Sequence, residues 1–178
     1  MARTFDIAIS FATENEELAE TVYHYLKAEG LSVFFAPAPE CQSILSGENQ
    51  REIFYRIFGM ESRYVILLVS EFYVMKEVPM EEARIAFSKH GRDASVIPVY
   101  IDGTPLPKEL LDAKKQNYFS SNNAAEIAAH VASKVSNVKE NAKKVSDSES
   151  GSTMINKKNK AEITQIFIQN YNRGRNDG

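Results

Sequence analysis

The chain has 178 residues, a formal charge of −3 and 43% hydrophobic residues, so we expect one domain with a substantial core. That charge provides no broad basic surface for nucleic acid. Cys41 is the only cysteine, which excludes an intrachain disulfide and a cysteine-cluster zinc site. We expect no signal peptide and no membrane-spanning segment, and therefore a soluble protein of the cytoplasm.

Two strands and two helices are predicted within the first sixty residues. The pattern Thr13-x-x-Glu16 is a capping box, and Gly30 suits the left-handed position that follows a helix. In order, the sequence predicts a strand over 5–11, a helix from Thr13 to Gly30, a strand over 31–35, a loop over 36–47 and a helix closed by Gly59.

An uninterrupted apolar run, residues 64–69, is the most distinctive stretch of the chain. A short run rich in branched side chains is typical of a strand buried on both faces of a parallel sheet. Ser70 ends this strand, and we expect Phe72 and Tyr73 to lie in a connecting segment.

A helix that carries two adjacent glutamates follows the central strand. Pro79 suits its first position, and Gly91 is expected to end it. Glu81 and Glu82 then lie in the first turn, beyond the carboxyl end of a buried strand, where open α/β sheets bind ligands. Since the helix dipole favours a negative charge there, we expect the functional glutamate to be ionised at neutral pH.

The last part of the domain predicts two more strands and a helix. Pro98 lies inside the fourth strand and indicates either a bulge or an edge position. In order, we expect a strand over 96–101, a turn over 102–105, a short helical turn over 107–111, a short strand over 117–119 and a helix capped by Asn123 that extends to Val138.

Alternating strands and helices indicate an α/β fold with helices on both faces of a parallel sheet. Right-handed crossovers leave few topologies, and we expect a flavodoxin-like three-layer sandwich with five strands in the order 2-1-3-4-5. This order makes the segments that follow Phe11, Phe35 and Ser70 neighbours at one edge of the sheet.

The composition changes after residue 139. Residues 140–160 are rich in Lys, Asn, Ser, Asp and Glu, which indicates a disordered linker. Residues 161–178 form a β-prone tail rich in Asn and Gln, a composition that favours cross-β assembly. The alternatives for this tail are a flexible terminus or a strand that docks on the domain.

Nucleotide-phosphate and metal motifs are absent from the sequence. It contains neither GxxxxGK[ST] nor GxGxxG, and Ser70 stands where a phosphoacceptor receiver needs an aspartate. His24, His90 and His130 lie far apart, so we expect no metal site.

Three stretches resemble the Toll/interleukin receptor (TIR) domain family, and in particular its bacterial branch. They are FDIAISFATENEELAETVYHYLKAEGLSVFF, RYVILLVSEFYVMKEVPMEEARIAF and VIPVYIDGTPLP, and the resemblance covers about residues 4–139. It implies that residues 1–139 are a TIR-like domain. It also implies cleavage of NAD+, as substrate and not as cofactor, to nicotinamide and ADP-ribose or a cyclic isomer.

The resemblance also implies which glutamate is catalytic. The family's catalytic glutamate follows a frequent tryptophan by four residues, and Val78 occupies the tryptophan position, so the glutamate is Glu82 and not Glu81. One carboxylate suits this reaction, because nicotinamide leaves as a neutral molecule and needs no general acid. The alternative for Glu82 is a solvated residue that interacts only with the helix dipole.

The substrate-binding residues are expected at the same edge of the sheet. The hypothesis places Ser10, Phe11, Phe35 and Ser70 on the pocket wall, with aromatic rings that stack on adenine or nicotinamide. The alternative for the two phenylalanines is ordinary core packing.

Two functions from different classes remain open. The first is an NAD+-cleaving defence enzyme whose long loop after the second strand packs on another TIR domain and completes the pocket, with the tail driving assembly. The second is a non-catalytic adaptor that only recruits other TIR domains. Glu82 favours the enzyme. The adaptor is favoured by two departures from the family, Val78 and Ser46-Gly47, where related bacterial members carry a tryptophan.

Overall fold

A parallel sheet of five strands forms the centre of the protein, in the order β2-β1-β3-β4-β5, which confirms the predicted fold. The computed structural model describes residues 4–90, 94–110 and 119–148, with side chains described as far as residue 137. The strands are β1 (Phe5–Ser10), β2 (Val33–Phe34), β3 (Ser62–Val69), β4 (Val96–Tyr100) and β5 (Phe119–Ser120).

Six α-helices connect or follow these strands in the part of the chain that is described. A 3₁₀ turn (Thr13–Asn15) precedes the first helix, and a π-helical turn (Ile57–Glu61) continues the third. The helices are α1 (Glu16–Ala28), α2 (Pro39–Leu45), α3 (Gln50–Arg56), α4 (Glu71–Met75), α5 (Glu77–His90) and α6 (Ala124–Ser148).

The central strand β3 lies between β1 and β4 and is buried on both faces, because its last six residues are all buried. Alternate residues of a strand point to opposite faces, so a continuous buried run requires cover on both sides. Branched and aromatic side chains of 64–69 thereby form the middle of the core.

Three predictions for the first sixty residues were wrong in detail. The capping box does not form, because Thr13 lies in the 3₁₀ turn and no side chain caps either that turn or α1. The expected loop over 36–47 contains α2, which has Pro39 in its first turn. The helix does not end at Gly59 but continues to Glu61.

Gly59 has a packing role instead of a capping role. A Cβ atom at this position would lie 3.3 Å from side-chain carbons of Ile85 and Lys89 on α5. The absence of a side chain therefore lets the π-helical turn approach α5 closely.

The region after β3 also differs from the prediction. Residues 71–75 form α4, whose N-cap is Ser70, with its Oγ accepting a hydrogen bond from Tyr73 N–H at 3.1 Å. Helix α5 begins at Glu77, two residues before Pro79, and its predicted end at Gly91 lies outside the described residues. Pro79 still occupies the first turn, where a missing N–H costs little.

Pro98 is accommodated without a bulge or an edge position. Strand β4 lies between β3 and β5, and its register with β3 is continuous from Val65↔Val96 to Val69↔Tyr100. Strand β5 pairs only with Val99 and Tyr100, so its described pairing does not involve Pro98. Residues 117 and 118 of the predicted fifth strand are not among those described.

Helix α6 extends further than predicted, to Ser148, so residues 140–148 of the expected linker are helical. Its apolar face is buried at Ile127, Ala128, Val131 and Val135. Residues 1–139 form one compact unit and residues 140–178 a second, and the predicted tail lies outside the described residues. No described helix is long and apolar enough to cross a membrane.

Candidate active site

Glu82 lies on the face of α5 that packs against the sheet, and only 8% of its surface is exposed. Met80, Ala83 and Ala86 are buried on the same helix. Helix α5 contacts β1, β3 and β4. The carboxyl group of Glu82 reaches Ser10, the last residue of β1, so it lies at the carboxyl edge of the sheet.

A chain of buried hydroxyl groups holds the Glu82 carboxylate. Ser10 Oγ donates a hydrogen bond to Glu82 Oε2 at 2.5 Å, and the Tyr73 hydroxyl lies 2.6 Å from Ser10 Oγ. A serine hydroxyl has one proton, so Tyr73 donates to Ser10 when Ser10 donates to Glu82. Tyr73 lies on α4 and is fully buried. Ser70, the N-cap residue of α4, donates a hydrogen bond from its Oγ to Asn15 Oδ1 at 2.7 Å.

Burial raises the pKa of Glu82 from an ordinary value of 4.5 to about 8. The hydrogen bond from Ser10 opposes this rise in pKa, and the negative charge of Glu81 adds to it. The expectation of an ionised glutamate at neutral pH is therefore corrected. The helix dipole contributes about 1 kcal/mol, and the loss of water around a buried carboxylate outweighs it.

Glu81 points away from this site, although it is the adjacent residue. Its Oε1 lies 2.8 Å from Arg51 Nε, and it lines a separate cavity of about 460 Å³. Successive residues of an α-helix are about 100° apart around the axis, so two neighbouring glutamates face different surroundings.

Glu82 lines a cavity of about 570 Å³. The cavity lies between the end of β1, the start of α5, the segment that follows β2, and α3. Its wall contains the aromatic rings of Phe11, Phe54 and Phe58. Its polar lining residues are Thr13, Glu16, Gln42, Glu48, Gln50 and Glu82. This volume suits a small-molecule site of mixed apolar and polar character.

The structure brings together some of the residues expected in the pocket. Phe11, Val78 and Glu82 line the cavity, while Ser10 is buried behind it and contacts Glu82. Val78 is 41% exposed.

Phe35 and Ser70 do not line the cavity, contrary to the expectation. The Phe35 ring is buried and stacks between Phe11, at a centroid distance of 5.4 Å, and Tyr23, at 5.1 Å. Phe35 is therefore a core residue, and its ring packs against the ring of Phe11, which lines the cavity. Ser70 is buried because its hydroxyl group serves as the N-cap of α4.

Tyr73 belongs to the site, although the sequence did not indicate it. It was placed in a connecting segment, but the pair Ser70 and Glu71 is a helix start, with an N-cap hydroxyl followed by an acidic first turn. That signal predicts a helical turn, in which Tyr73, the third residue after Ser70, points back towards the sheet.

Helix α2 is attached to α1 by a hydrogen bond from the Tyr23 hydroxyl to Glu40 Oε1 at 2.7 Å. This contact with a carboxylate raises the pKa of Tyr23 to about 12 and lowers that of Glu40. Gln42 Nε2 donates to the Ala36 carbonyl at 2.6 Å. These bonds position Gln42 and Leu45 on the cavity wall.

Among the described residues, no group of three His, Cys, Asp or Glu is arranged to hold a metal ion.

Known proteins resemble this chain in sequence and in fold. The 3′ cyclic ADP-D-ribose synthase AaTIR from the bacterium Aquimarina amphilecti is 32% identical over 106 residues, covering 58% of this chain and 32% of that protein. This chain therefore spans about a third of the length of that relative.

Two solved structures share the fold. The TIR domain of the Toll-related receptor TRR-2 from Hydra magnipapillata has a TM-score of 0.51 at 18% identity, covering 66% of this chain and 84% of that chain. A metazoan TIR-STING receptor from C. gigas has a TM-score of 0.56 at 21% identity, covering 72% and 40%.

A family model described as the TIR domain matches residues 7–132, well over half of the chain. The match runs from Ile7 in β1 to Ala132 in α6 and includes the Glu82 site. The chain belongs to the TIR domain family.

Proposed function

We propose that this protein cleaves the nicotinamide–ribose bond of NAD+ and releases nicotinamide with ADP-ribose or a cyclic isomer. The observation that carries the proposal is the buried Glu82 carboxyl group, bonded to Ser10 and lining a cavity of about 570 Å³. The name of the A. amphilecti relative, a cyclic ADP-D-ribose synthase, supports the same class of reaction.

In this proposal Glu82 stabilises the positive charge that develops on the ribose. The bond from C1′ to the pyridinium nitrogen breaks, and its electron pair leaves with neutral nicotinamide, so no general acid is needed. An ionised carboxylate next to C1′ stabilises the oxocarbenium ion. Attack by water then gives ADP-ribose and a proton, while attack by a nucleophilic group of the same molecule gives a cyclic isomer.

Substrate binding provides the ionised form of Glu82 in this proposal. In the free protein the carboxyl group is largely protonated at neutral pH, because its pKa is raised to about 8. A cationic nicotinamide ring within a few ångströms favours the charged carboxylate, so binding releases a proton. The hydrogen bond from Ser10 then stabilises the carboxylate in the correct orientation.

Replacement of Glu82 tests the proposal. Wild-type protein and the Glu82→Gln variant are incubated at high concentration with NAD+, and nicotinamide release is followed by chromatography. We expect Glu82→Gln to lower the rate by about 100-fold or more, because the amide carries no negative charge.

Glu81→Gln is the matched control, because it makes the same change one residue away, at a side chain that faces Arg51. It should retain activity. Equal activity in the wild-type protein and in Glu82→Gln would assign the reaction to another residue or to a contaminant.

A non-catalytic adaptor is the second candidate function. Val78 favours it, since a partly exposed aliphatic residue closes less of the cavity than an aromatic ring would. A wild-type protein that binds other TIR domains but releases no nicotinamide at any concentration would establish the adaptor and end the catalytic proposal.

Assembly belongs to the same proposal. Homotypic contacts through the segment 36–49, which contains α2 and adjoins the cavity, would complete the site in a bacterial defence-signalling role. The β-prone residues 161–178 are proposed to promote this assembly.

A further inference from the structure

We propose that the cavity recognises the cationic nicotinamide riboside half of its substrate and disfavours phosphate, so that a phosphate-free nicotinamide riboside is itself cleaved here. This inference rests on the proposed function, because it concerns the same Glu82 and the same bond. It adds a second substrate class: pyridinium ribosides without phosphate.

The charges that line the cavity carry the inference. Three lining side chains are glutamates, Glu16, Glu48 and Glu82, and none of the described lining residues is a lysine or an arginine. NAD+ carries a pyrophosphate, which proteins ordinarily bind with basic side chains or backbone N–H groups. A riboside of nicotinamide carries one positive charge and no negative one.

Two basic side chains on the flanking elements, Lys76 and Arg51, are in ion pairs. Lys76 Nζ lies 2.7 Å from Glu14 Oε2, and Arg51 Nε lies 2.8 Å from Glu81 Oε1. Using either cation for a phosphate would first require breaking its ion pair. These cations therefore offset little of the negative charge at the cavity.

The first helix after β1 also disfavours a phosphate through its side chains. The first turn of α1, the helix that follows β1, contains Glu16 and Glu17. A helix N-terminus attracts an anion through its free N–H groups, but two carboxylates in the first turn repel a phosphate that approaches it.

The same lining suits a planar cation. Phe11, Phe54 and Glu82 all line the cavity. Aromatic rings attract a cation such as pyridinium, and the carboxylate of Glu82 provides a countercharge. With the riboside, the C1′–N bond breaks and its electron pair leaves with nicotinamide. A water oxygen bonds to C1′ and loses one proton, which gives ribose.

Three substrates tested side by side examine this inference: nicotinamide riboside, its 5′-phosphate and NAD+. The riboside and its 5′-phosphate differ only by the phosphate. We expect kcat/KM for the riboside to exceed that for the 5′-phosphate by about tenfold at low salt. The preference should shrink as salt screens the exposed carboxylates.

Charge variants separate the cavity from the rest of the surface. Glu16→Gln and Glu48→Gln should each lower the preference for the riboside by about two- to fivefold, since each removes one negative charge from the cavity. Glu20→Gln is the matched control on α1, because it removes an equal charge from an exposed residue outside the lining and should leave the ratio unchanged.

The outcomes distinguish this inference from the function on which it rests. Cleavage of NAD+ without cleavage of the riboside, or a riboside to 5′-phosphate ratio of one or less, overturns the inference and leaves the proposed function standing. If none of the three substrates is cleaved, both this inference and the proposed function are overturned.

Discussion

At Glu82, burial and the helix dipole act in opposite directions on one carboxyl group. The first turn of α5 favours a negative charge, while the packed face of the helix removes the water that a carboxylate needs. Burial prevails, and the pKa rises to about 8. Glu82 is therefore largely neutral in the free protein at neutral pH, and it becomes a carboxylate when a cation binds next to it.

Activity should therefore depend on pH through Glu82. Because the ionised form is the working one, kcat/KM for NAD+ should rise with pH and level off above about pH 8. At neutral pH only about a tenth of the free protein carries the charge. A pH–rate profile with Glu82 fully active at about pH 5 would contradict this assignment.

Two neighbouring groups should move that profile in opposite directions. Ser10→Ala removes the hydrogen bond that lowers the pKa of Glu82, so the rise in activity should shift to higher pH. Glu81→Gln removes a repelling charge and should shift the rise to lower pH. A loss of activity in Ser10→Ala that higher pH does not recover would assign Ser10 a role other than holding the carboxylate.

The raised pKa of Glu82 also predicts a stability effect. Between pH 4.5 and about 8 the folded protein holds a proton that the unfolded chain releases, so Glu82 makes the fold less stable as pH rises through this range. Glu82→Gln should raise the melting temperature by several degrees at about pH 9 and leave it little changed at about pH 4. Thermal unfolding of both proteins at the two pH values checks this, and an equal difference at both would contradict it.

Among the elements, α2 is linked to α1 through Glu40, which also lies 3.8 Å from Lys27 Nζ on α1. The Tyr23 hydroxyl donates to Glu40, and the Tyr23 ring stacks on Phe35, which supports Phe11 at the cavity. This seven-residue helix begins at Pro39, and Cys41 is its buried residue, so its own sequence stabilises it only weakly.

Tyr23→Phe should loosen α2 without unfolding the domain. The variant loses the hydrogen bond to Glu40, while the aromatic ring remains in place. We expect faster amide hydrogen exchange over residues 39–45 and a higher KM for NAD+. Tyr25→Phe, at an exposed tyrosine of the same helix, is the control and should change neither quantity. Unchanged exchange in Tyr23→Phe would show that other contacts position α2.

For the whole molecule, assembly should control activity. If contacts between copies complete the site, nicotinamide release per molecule should increase with protein concentration. Deletion of 161–178 should weaken that dependence and reduce thioflavin binding if the tail promotes assembly. Filaments that persist after the deletion would remove the tail from this role. If activity is instead proportional to protein concentration over the whole range, a single copy contains a complete site.

The alternation of strands and helices sufficed to predict the sheet order. Handedness and burial leave few ways to arrange five parallel strands, and the apolar run at 64–69 identifies the central one. Short elements were harder, because α2 and α4 have too few residues to show a helical period. Gly59 was misleading, since a glycine that ends a helix and one that permits close packing look alike in sequence.

The order of the residues was enough to predict the fold, the family and a pair of candidate glutamates at one edge of the sheet. Local patterns report burial and order along the chain, and these follow from side-chain chemistry. The folded chain was needed to show that Glu82 is buried against Ser10 and Tyr73 while Glu81 faces Arg51. The ionisation of a carboxyl group depends on neighbours that are distant in sequence, so that the protonation of Glu82 and the charge of its cavity emerge only when the chain has folded.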